Sequence, residues 1–226
     1  LDKILKIHSV INKWRDLSEI CPNTKKGHYT TILKRFYAWT RAGVFEKAHE
    51  YLLKKNILSN INSTTTLNCY IDATHINNIS GINELGFSDN KKKKTTKVTA
   101  ICNDDKKILD FKIGHVHDSK TIIPIINTLK LKIKTRKINV IGDKGYKLNK
   151  DVIKKLDDLQ VKIHVPQRKN QKIKTSTVTK KHLRNRYKIE NCFQQLKTFS
   201  RIRNRFDKSI ENFQSFIYLS LIHKFV

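Results

Sequence analysis

The sequence LNCYIDAT, residues 67–74, is the stretch from which the fold of this chain can be predicted. Apolar side chains occupy every second position from Leu67 to Ala73, so they share one face of an extended segment. Asp72 lies on the opposite face. The stretch therefore predicts a β-strand that carries a carboxylate on one side.

Strand and helix patterns alternate in the residues that follow. KVTAIC (97–102) turns through residues 103–105 into ILDFKIG (108–114), and so tight a turn predicts two antiparallel strands. The later patterns are, in order, a helix in TIIPIINTLK (121–130), a strand in KINVIGD (137–143), a helix in DVIKKLDDL (151–159), a strand in VKIHV (161–165) and a helix from Tyr187 to Phe199.

The order after residue 66 is strand, strand, strand, helix, strand, helix, strand, helix. It predicts an α/β fold of the ribonuclease H-like type, with a mixed five-stranded sheet flanked by helices. The reason is that three antiparallel strands are continued by parallel strands with helical crossovers. Residues 67–226 are therefore interpreted as one ribonuclease H-like domain.

Residues 1–60 predict a small N-terminal helical region, because their apolar positions recur at helical spacing. The segment HYTTILKRFYAWTRAG (28–43) leaves two interpretations open. It suits a helix-turn-helix that binds DNA, and it equally suits a helical appendage that packs on the fold. Because the chain starts at Leu1 and contains no methionine, we expect its true N-terminus to be missing.

Positive charge dominates the composition. The 226 residues include 47 Lys plus Arg against 19 Asp plus Glu, which gives a formal net charge of +28. This excess predicts a nucleic-acid partner, although an AT-rich coding sequence would also enrich lysine. No apolar run approaches the ~20 residues of a membrane span, and no signal peptide is visible. We expect a protein that is cytoplasmic, and nucleoid-associated in a prokaryote, and neither secreted nor membrane-bound.

Three acids lie on three separate predicted elements. Asp72 is on the first strand, Asp143 closes the fourth strand, and Glu190 lies on the last helix at the border of its apolar stripe. Neighbouring strands at the centre of the sheet would bring the two aspartates to one edge, and the helix can lean Glu190 towards them. Each acid also has a plainer interpretation: a solvated strand residue or turn former, or, for Glu190, an i−4 pair with Arg186.

Basic residues near these acids and beyond them suit phosphate contact. Arg186 and Lys197 lie at i−4 and i+7 from Glu190, where a solvated basic face is an equal alternative. A denser cluster is predicted on the continuation of the same helix, and a four-lysine run lies on the first hairpin loop. The residues predicted to bind DNA are Arg186, Lys197, Arg201, Arg203, Arg205, Lys208, Lys91, Lys92, Lys93 and Lys94.

Five motifs, in order and spacing, resemble the catalytic core of insertion-sequence transposases of the group-five type, within the DDE superfamily. They are IDATH (71–75), TKVTAI (96–101), GHVHDS (114–119), VIGDKGY (140–146) and RNRYKIENCFQQLK (184–197). The last is the most specific, because it is similar to the family's Tyr-x-x-Glu block. Within GHVHDS, Asp118 matches a family position near the site, but it also suits the N-cap of the following helix.

The resemblance implies that residues 67–226 form a DDE catalytic domain. Asp72, Asp143 and Glu190 would hold two Mg²⁺ or Mn²⁺ ions, which suit phosphodiester cleavage and carboxylate ligands. Water would cut double-stranded DNA at the element ends, and the freed 3′-hydroxyl would then attack target DNA. A homodimer or higher oligomer would hold the two ends together in a synaptic complex.

Two other functions remain compatible with the same residues. A ribonuclease H-like nuclease would use the same carboxylates but would never transfer a strand. A catalytically inactive DNA-binding protein derived from a mobile element would retain the basic surface alone.

Overall fold

A computed structural model of the chain describes residues 4, 8, 13–17, 28–57, 66–88, 92–133, 137–166 and 177–223. The strands are β1 (Leu67–Asn78), β2 (Gly86–Ser88), β3 (Lys93–Asn103), β4 (Ile108–Ile113), β5 (Ile138–Ile141), β6 (Val161–His164) and β7 (Asn204–Arg205). The helices are α1 (Tyr29–Arg41), α2 (Val44–Asn56), α3 (Asp118–Lys132), α4 (Lys150–Asp158), α5 (Thr177–Leu183), α6 (Tyr187–Leu196), α7 (Ser200–Arg203) and α8 (Ile210–His223).

The strands form a mixed sheet in the order β2-β3-β1-β5-β6, with β4 beside β3 and β7 beside β1. This arrangement confirms the predicted α/β fold of the ribonuclease H-like type. The predicted count of five strands is too low, because the described residues contain seven. The two additional strands, β2 and β7, have three and two residues, so they are too short to display an alternating pattern.

The chain divides into two compact units, which are described separately. The sheet unit comprises residues 53–74 and 98–193, and the helical unit comprises residues 1–52, 75–97 and 194–226. The prediction of a domain boundary near residue 60 is not tested by this division and stays a prediction.

In the sheet unit, β1 runs parallel to β5 and β5 runs parallel to β6, whereas β3 and β4 are antiparallel. The predicted crossovers are present, since α3 packs against β4 and α4 packs against β6. The buried positions of α3 are Thr121, Ile122, Ile125, Ile126 and Leu129. Their i, i+3, i+4 spacing places them on one face, which explains why this segment forms an amphipathic helix over the sheet.

In the helical unit, the break between α1 and α2 falls at Ala42-Gly43. Gly43 has a φ of +66°, a left-handed conformation that glycine adopts without a steric penalty, so it ends α1. Aromatic rings join α1 to α8, since Phe36 stacks on Phe216 at 4.6 Å. This contact is a packing contact within the helical unit. Whether residues 28–43 are a DNA-binding helix-turn-helix or a packing appendage stays open.

The last predicted helix is shorter than expected. It ends at Leu196, and Phe199 has an extended backbone (φ −76°, ψ 124°) as the N-cap of α7. The ring of Phe199 stacks on His8 at 4.3 Å, a contact that holds the chain away from the helical path. The prediction that the basic cluster from Arg201 to Lys208 continues α6 is therefore wrong. The cluster lies in α7, in β7 and in the turn before α8.

Helix α8 was not predicted. Eight of its residues are buried, including the consecutive run from Ser215 to Leu221. A helix that is apolar on all sides has no stripe for a periodicity argument to detect. Within the described ranges, no helix combines the length and the apolarity that crossing a bilayer requires.

Candidate active site

Asp72 and Asp143 lie at the same level of two adjacent strands. The β1–β5 register pairs Tyr70 with Ile141, and each aspartate lies two residues beyond its member of that pair. Because the two strands are parallel and in register, the two aspartates lie side by side where β5 ends, while β1 continues to Asn78. The predicted placement of the two aspartates is therefore realised in the sheet unit.

The residues after β5 hold the Asp143 side chain in a tight turn. Asp143 caps a 3-10 turn over Lys144–Tyr146, and the Gly145 N–H donates to Asp143 Oδ1 at 2.8 Å. Asp118 is close to the same turn, since a Cβ at position 145 would come 2.8 Å from Asp118 Oδ2 and 3.0 Å from Asp143 Oδ1. Position 145 thus accommodates glycine because two carboxylates crowd it.

Asp118 is not the helix N-cap that its sequence position suggested. His117 caps α3 instead, and its Nδ1 accepts a hydrogen bond from the Ser119 N–H at 3.3 Å. Asp118 begins the helix proper and contributes negative charge near Asp72. The sequence had offered both roles for Asp118, and the structure favours the position beside the other acids.

Arg186 connects Glu190 with Asp143, because it forms ion pairs with both. Arg186 Nη2 donates to Glu190 Oε1 at 2.8 Å, and Nη1 lies 4.0 Å from Asp143 Oδ2. The positive charge of Arg186 also acts on Asp72. Asp143 and Glu190 thus pair with one guanidinium group, whose charge also acts on Asp72, and the plainer interpretation of Glu190, an i−4 pair with Arg186, is true at the same time.

Electrostatics at the site resist full ionisation of Asp72. Burial raises the pKa of this carboxyl, and the charges of Asp143 and Asp118 raise it further. The Ala73 N–H, which donates to Asp72 Oδ1 at 2.8 Å, and the charge of Arg186 act in the opposite direction. Such a crowd of carboxylates is stabilised by a cation, because each negative charge disfavours the next.

The donor chemistry of these acids suits a divalent metal ion, since carboxylate oxygens are hard ligands. In the part of the chain that the structure describes, however, no three His, Cys, Asp or Glu side chains are grouped closely enough to hold one ion. Arg186 lies between Asp143 and Glu190 and is the cation that pairs with them here.

Two of the predicted DNA-binding arginines are buried in the helical unit. Arg201 is 2% exposed, and its Nη1 lies 2.9 Å from both carboxylate oxygens of Asp207. Arg205 is 0% exposed and donates to the carbonyl oxygens of Asn83, Asp207 and Lys208. The structure therefore corrects the prediction that these two side chains contact DNA, because their donors are used inside the fold.

Other predicted DNA contacts lie at the surface. Arg203, Lys208 and Lys92 to Lys94 are exposed, and Lys197 is half-buried just after α6. Lys91 falls outside the described residues. Arg186 is partly exposed and pairs with acids, and a phosphate contact by this residue stays a prediction, like those of the exposed lysines.

The sequence pattern does not indicate a polar network centred on Asp104. Asp104, which the sequence pattern assigns only to a turn, accepts hydrogen bonds from Tyr70 at 2.8 Å and Asn68 at 3.2 Å and pairs with Lys188. These partners lie 34, 36 and 84 residues away in the chain. No local pattern could have revealed contacts at such separations.

Residues 68–223 match the model of the family described as Transposase DDE domain. The chain belongs to this family. DDE transposases are DNA-cleaving enzymes that generally use divalent metal ions, so membership confirms the resemblance at the level of the family. The group-five subtype stays a prediction. No curated protein matches this transposase sequence.

Solved structures of transposases are similar to this chain at low identity. The piggyBac transposase synaptic complex with hairpin DNA matches with a TM-score of 0.36 and 14% identity, over 46% of this chain and 24% of that one. The Mos1 Strand Transfer Complex matches with a TM-score of 0.31 and 9% identity, over 81% of this chain and 72% of that one. The chain thus spans about a quarter of the piggyBac transposase that it matches.

Proposed function

We propose that this transposase domain cleaves DNA at the ends of an insertion sequence and transfers the freed strand into target DNA. One observation carries the proposal: Asp143 and Glu190 contact the Arg186 guanidinium, and the charge of Arg186 also acts to lower the pKa of Asp72. These carboxylates come from two strands and a helix. A shared phosphodiester-cleaving site requires carboxylates that meet at one place, and the common influence of Arg186 on these three supports such a site.

Asp72, Asp143 and Glu190 are the residues that would bind two Mg²⁺ or Mn²⁺ ions. When bound, such ions would lower the pKa of the attacking water and stabilise the leaving oxygen. The chain itself fixes the Asp143 carboxylate through the Gly145 N–H and supplies the positive charge of Arg186 beside it. With ions bound to the acids, Arg186 would be available to bind a phosphate of the scissile strand.

Double-stranded DNA is the proposed substrate, both as element ends and as target. The formal net charge of +28 supports a polyanionic partner, and the exposed Lys92 to Lys94 and Arg203 offer phosphate contacts. Because two ends are joined in one reaction, we propose that a homodimer or higher oligomer forms the active complex.

The decisive experiment incubates the protein with Mg²⁺ and a supercoiled plasmid that carries matching element ends. Asp72→Asn, Asp143→Asn and Glu190→Gln should each lower cleavage by more than about 100-fold, because each removes transition-state stabilisation worth several kcal/mol. Asp158→Asn is the matched control, since it neutralises an exposed acid at the end of α4.

Joined products support transposition, whereas nicked plasmid without joined products points to the nuclease that lacks strand transfer. Equal cleavage by the unaltered protein and by Asp143→Asn would refute the assignment of the site. No cleavage by the unaltered protein, combined with retained DNA binding, would support the inactive DNA-binding alternative.

A further inference from the structure

Asp104 lies at the centre of a polar network in the sheet unit. Tyr70 Oη donates to Asp104 Oδ1 at 2.8 Å, and Asn68 Nδ2 donates to Oδ2 at 3.2 Å. Lys188 Nζ forms an ion pair with the same carboxylate. Asn139 Nδ2 extends the network, because it donates to Asn68 Oδ1 at 3.0 Å. One carboxylate therefore accepts hydrogen bonds from three side chains.

This network joins the three elements that carry the proposed metal ligands. Asn68 and Tyr70 lie on β1 and share the strand face of Asp72, since alternate residues point the same way. Asn139 belongs to β5, which precedes Asp143, and Lys188 belongs to α6, two residues before Glu190. Asp104 itself lies in the turn between β3 and β4.

The electrostatics of the network hold Asp104 in its charged form. Burial opposes ionisation, but the hydrogen bonds from Lys188, Tyr70 and Asn68 outweigh it and lower the pKa of Asp104. Lys188 also lies over the ring of Tyr70, with its Nζ 5.3 Å from the ring centroid. The side chain of Lys188 is 15% exposed and that of Asp104 is 46% exposed, so the ammonium group is shielded from solvent while the carboxylate is partly open to it.

We infer that Asp104 is a positioning residue, which anchors α6 through Lys188 and thereby sets the distance of Glu190 from Asp72 and Asp143. This inference rests on the proposed function. Asp104 would thus hold the three acids in position although it is a turn residue outside the site. A charged, multiply bonded anchor suits this task because ligand groups must be held within about 0.5 Å of their productive geometry.

The test measures metal affinity rather than activity. Terbium(III), a hard ion that takes oxygen ligands, is titrated into the full chain while its tyrosine-sensitised luminescence is recorded. Asp104→Asn should weaken terbium binding by about 10-fold, as expected for a group that orients a ligand. Lys188→Gln should weaken it similarly, and Asp104→Glu, which keeps the charge, should restore most of the affinity.

Asp105→Asn is the matched control, because Asp105 lies in the same turn but accepts its hydrogen bond from Asn103 within that turn. It should leave terbium affinity unchanged. In a Glu190→Gln background, Asp104→Asn should cause no further decrease, since its effect passes through Glu190. Thermal unfolding of each variant checks that it is folded. If Asp104→Asn does not fold, the terbium affinity of Lys188→Gln is compared with that of the control instead.

Two results would overturn the inference alone: a terbium affinity of Asp104→Asn equal to that of Asp105→Asn, or an equal decrease with and without Glu190. If Glu190→Gln itself changes neither terbium affinity nor DNA cleavage, the proposed site and the inference both fail. The two ideas are therefore separated by the behaviour of the Glu190 variant.

Discussion

At the scale of single residues, the candidate site depends on how closely carboxylates can approach one another. Asp143 and Asp118 come so near to Gly145 that a Cβ at this position would push their carboxylates aside. Repulsion between the acids is offset by the Arg186 guanidinium and by the Gly145 N–H. Position 145 thus links the backbone conformation of the turn to the electrostatics of the site.

Gly145→Ala should lower metal-dependent cleavage by about 10-fold while the protein stays folded, as expected when a ligand group is displaced. The added Cβ would lie 2.8 Å from Asp118 Oδ2 and 3.0 Å from Asp143 Oδ1, so both carboxylates must move. Plasmid cleavage and thermal unfolding should be measured together. Lys144→Ala, in the same turn but exposed, is expected to keep full cleavage. Normal activity in Gly145→Ala would mean that Asp143 need not hold this position.

A buried histidine in the helical unit makes stability depend on pH. Burial, with smaller effects from the positive charges of Arg201 and His223, lowers the pKa of His8 from 6.5 to about 3. The folded protein therefore binds no proton at His8 in a range where the unfolded chain does. Stability from this residue is complete above pH 6.5 and is lost as the pH falls from 6.5 towards 3.

His8→Phe should flatten this dependence, since a phenyl ring can keep the stacking on Phe199 and binds no proton. Between pH 6.5 and 4.5, the unfolding free energy should fall by about 1.4 kcal/mol per pH unit more in the unaltered protein than in the variant. Denaturant unfolding at several pH values measures the difference. His28→Phe, at an exposed position, is the control, and identical slopes for all three proteins would contradict the role of His8.

At the scale of elements, the short helix α7 contains two arginines in opposite environments. Arg201 is buried against Asp207, whereas Arg203, two residues later, is exposed. A helix turns by 100° per residue, so residues two apart face nearly opposite sides. Charge density in the sequence could not distinguish the structural arginine from the one available to DNA.

Arg201→Met should destabilise the protein by about 3–5 kcal/mol, because it leaves the buried Asp207 carboxylate without its cation. Arg203→Ala should leave stability within about 0.5 kcal/mol and weaken DNA binding instead. Denaturant unfolding and fluorescence anisotropy with labelled DNA measure the two effects. The assignment would be contradicted if Arg203→Ala unfolded the protein or if Arg201→Met were as stable as the unaltered chain.

At the scale of the whole molecule, the excess of positive charge sets the expected strength and salt dependence of DNA binding. A net charge of +28 predicts binding that is strong, weakly dependent on sequence and sensitive to salt. Within that charge, the exposed lysines of the β2–β3 hairpin are candidates for phosphate contact, while the buried arginines contribute to stability.

Replacing Lys92, Lys93 and Lys94 together by alanine should lower the slope of log affinity against log salt concentration by roughly one for each phosphate that is no longer neutralised. Binding to unrelated DNA sequences should weaken equally, because phosphate contacts carry no sequence information. Anisotropy titrations from 50 to 300 mM salt, about the range in which such slopes are resolved, provide the measurement. An unchanged slope would remove the hairpin from the DNA interface.

The sequence alone determined the order of the five longer strands and of the helices that connect them, and the placement of Asp72 and Asp143. Alternation and helical spacing are local properties, and two aspartates at matching positions of parallel neighbours must lie side by side. The tertiary structure decided which charges are buried, since Arg201 and Arg205 differ from Arg203 only in what packs around them. It also decided where α6 ends and how Asp104 connects β1 with α6. Such contacts join residues far apart in the chain, so packing specifies them where no local pattern can.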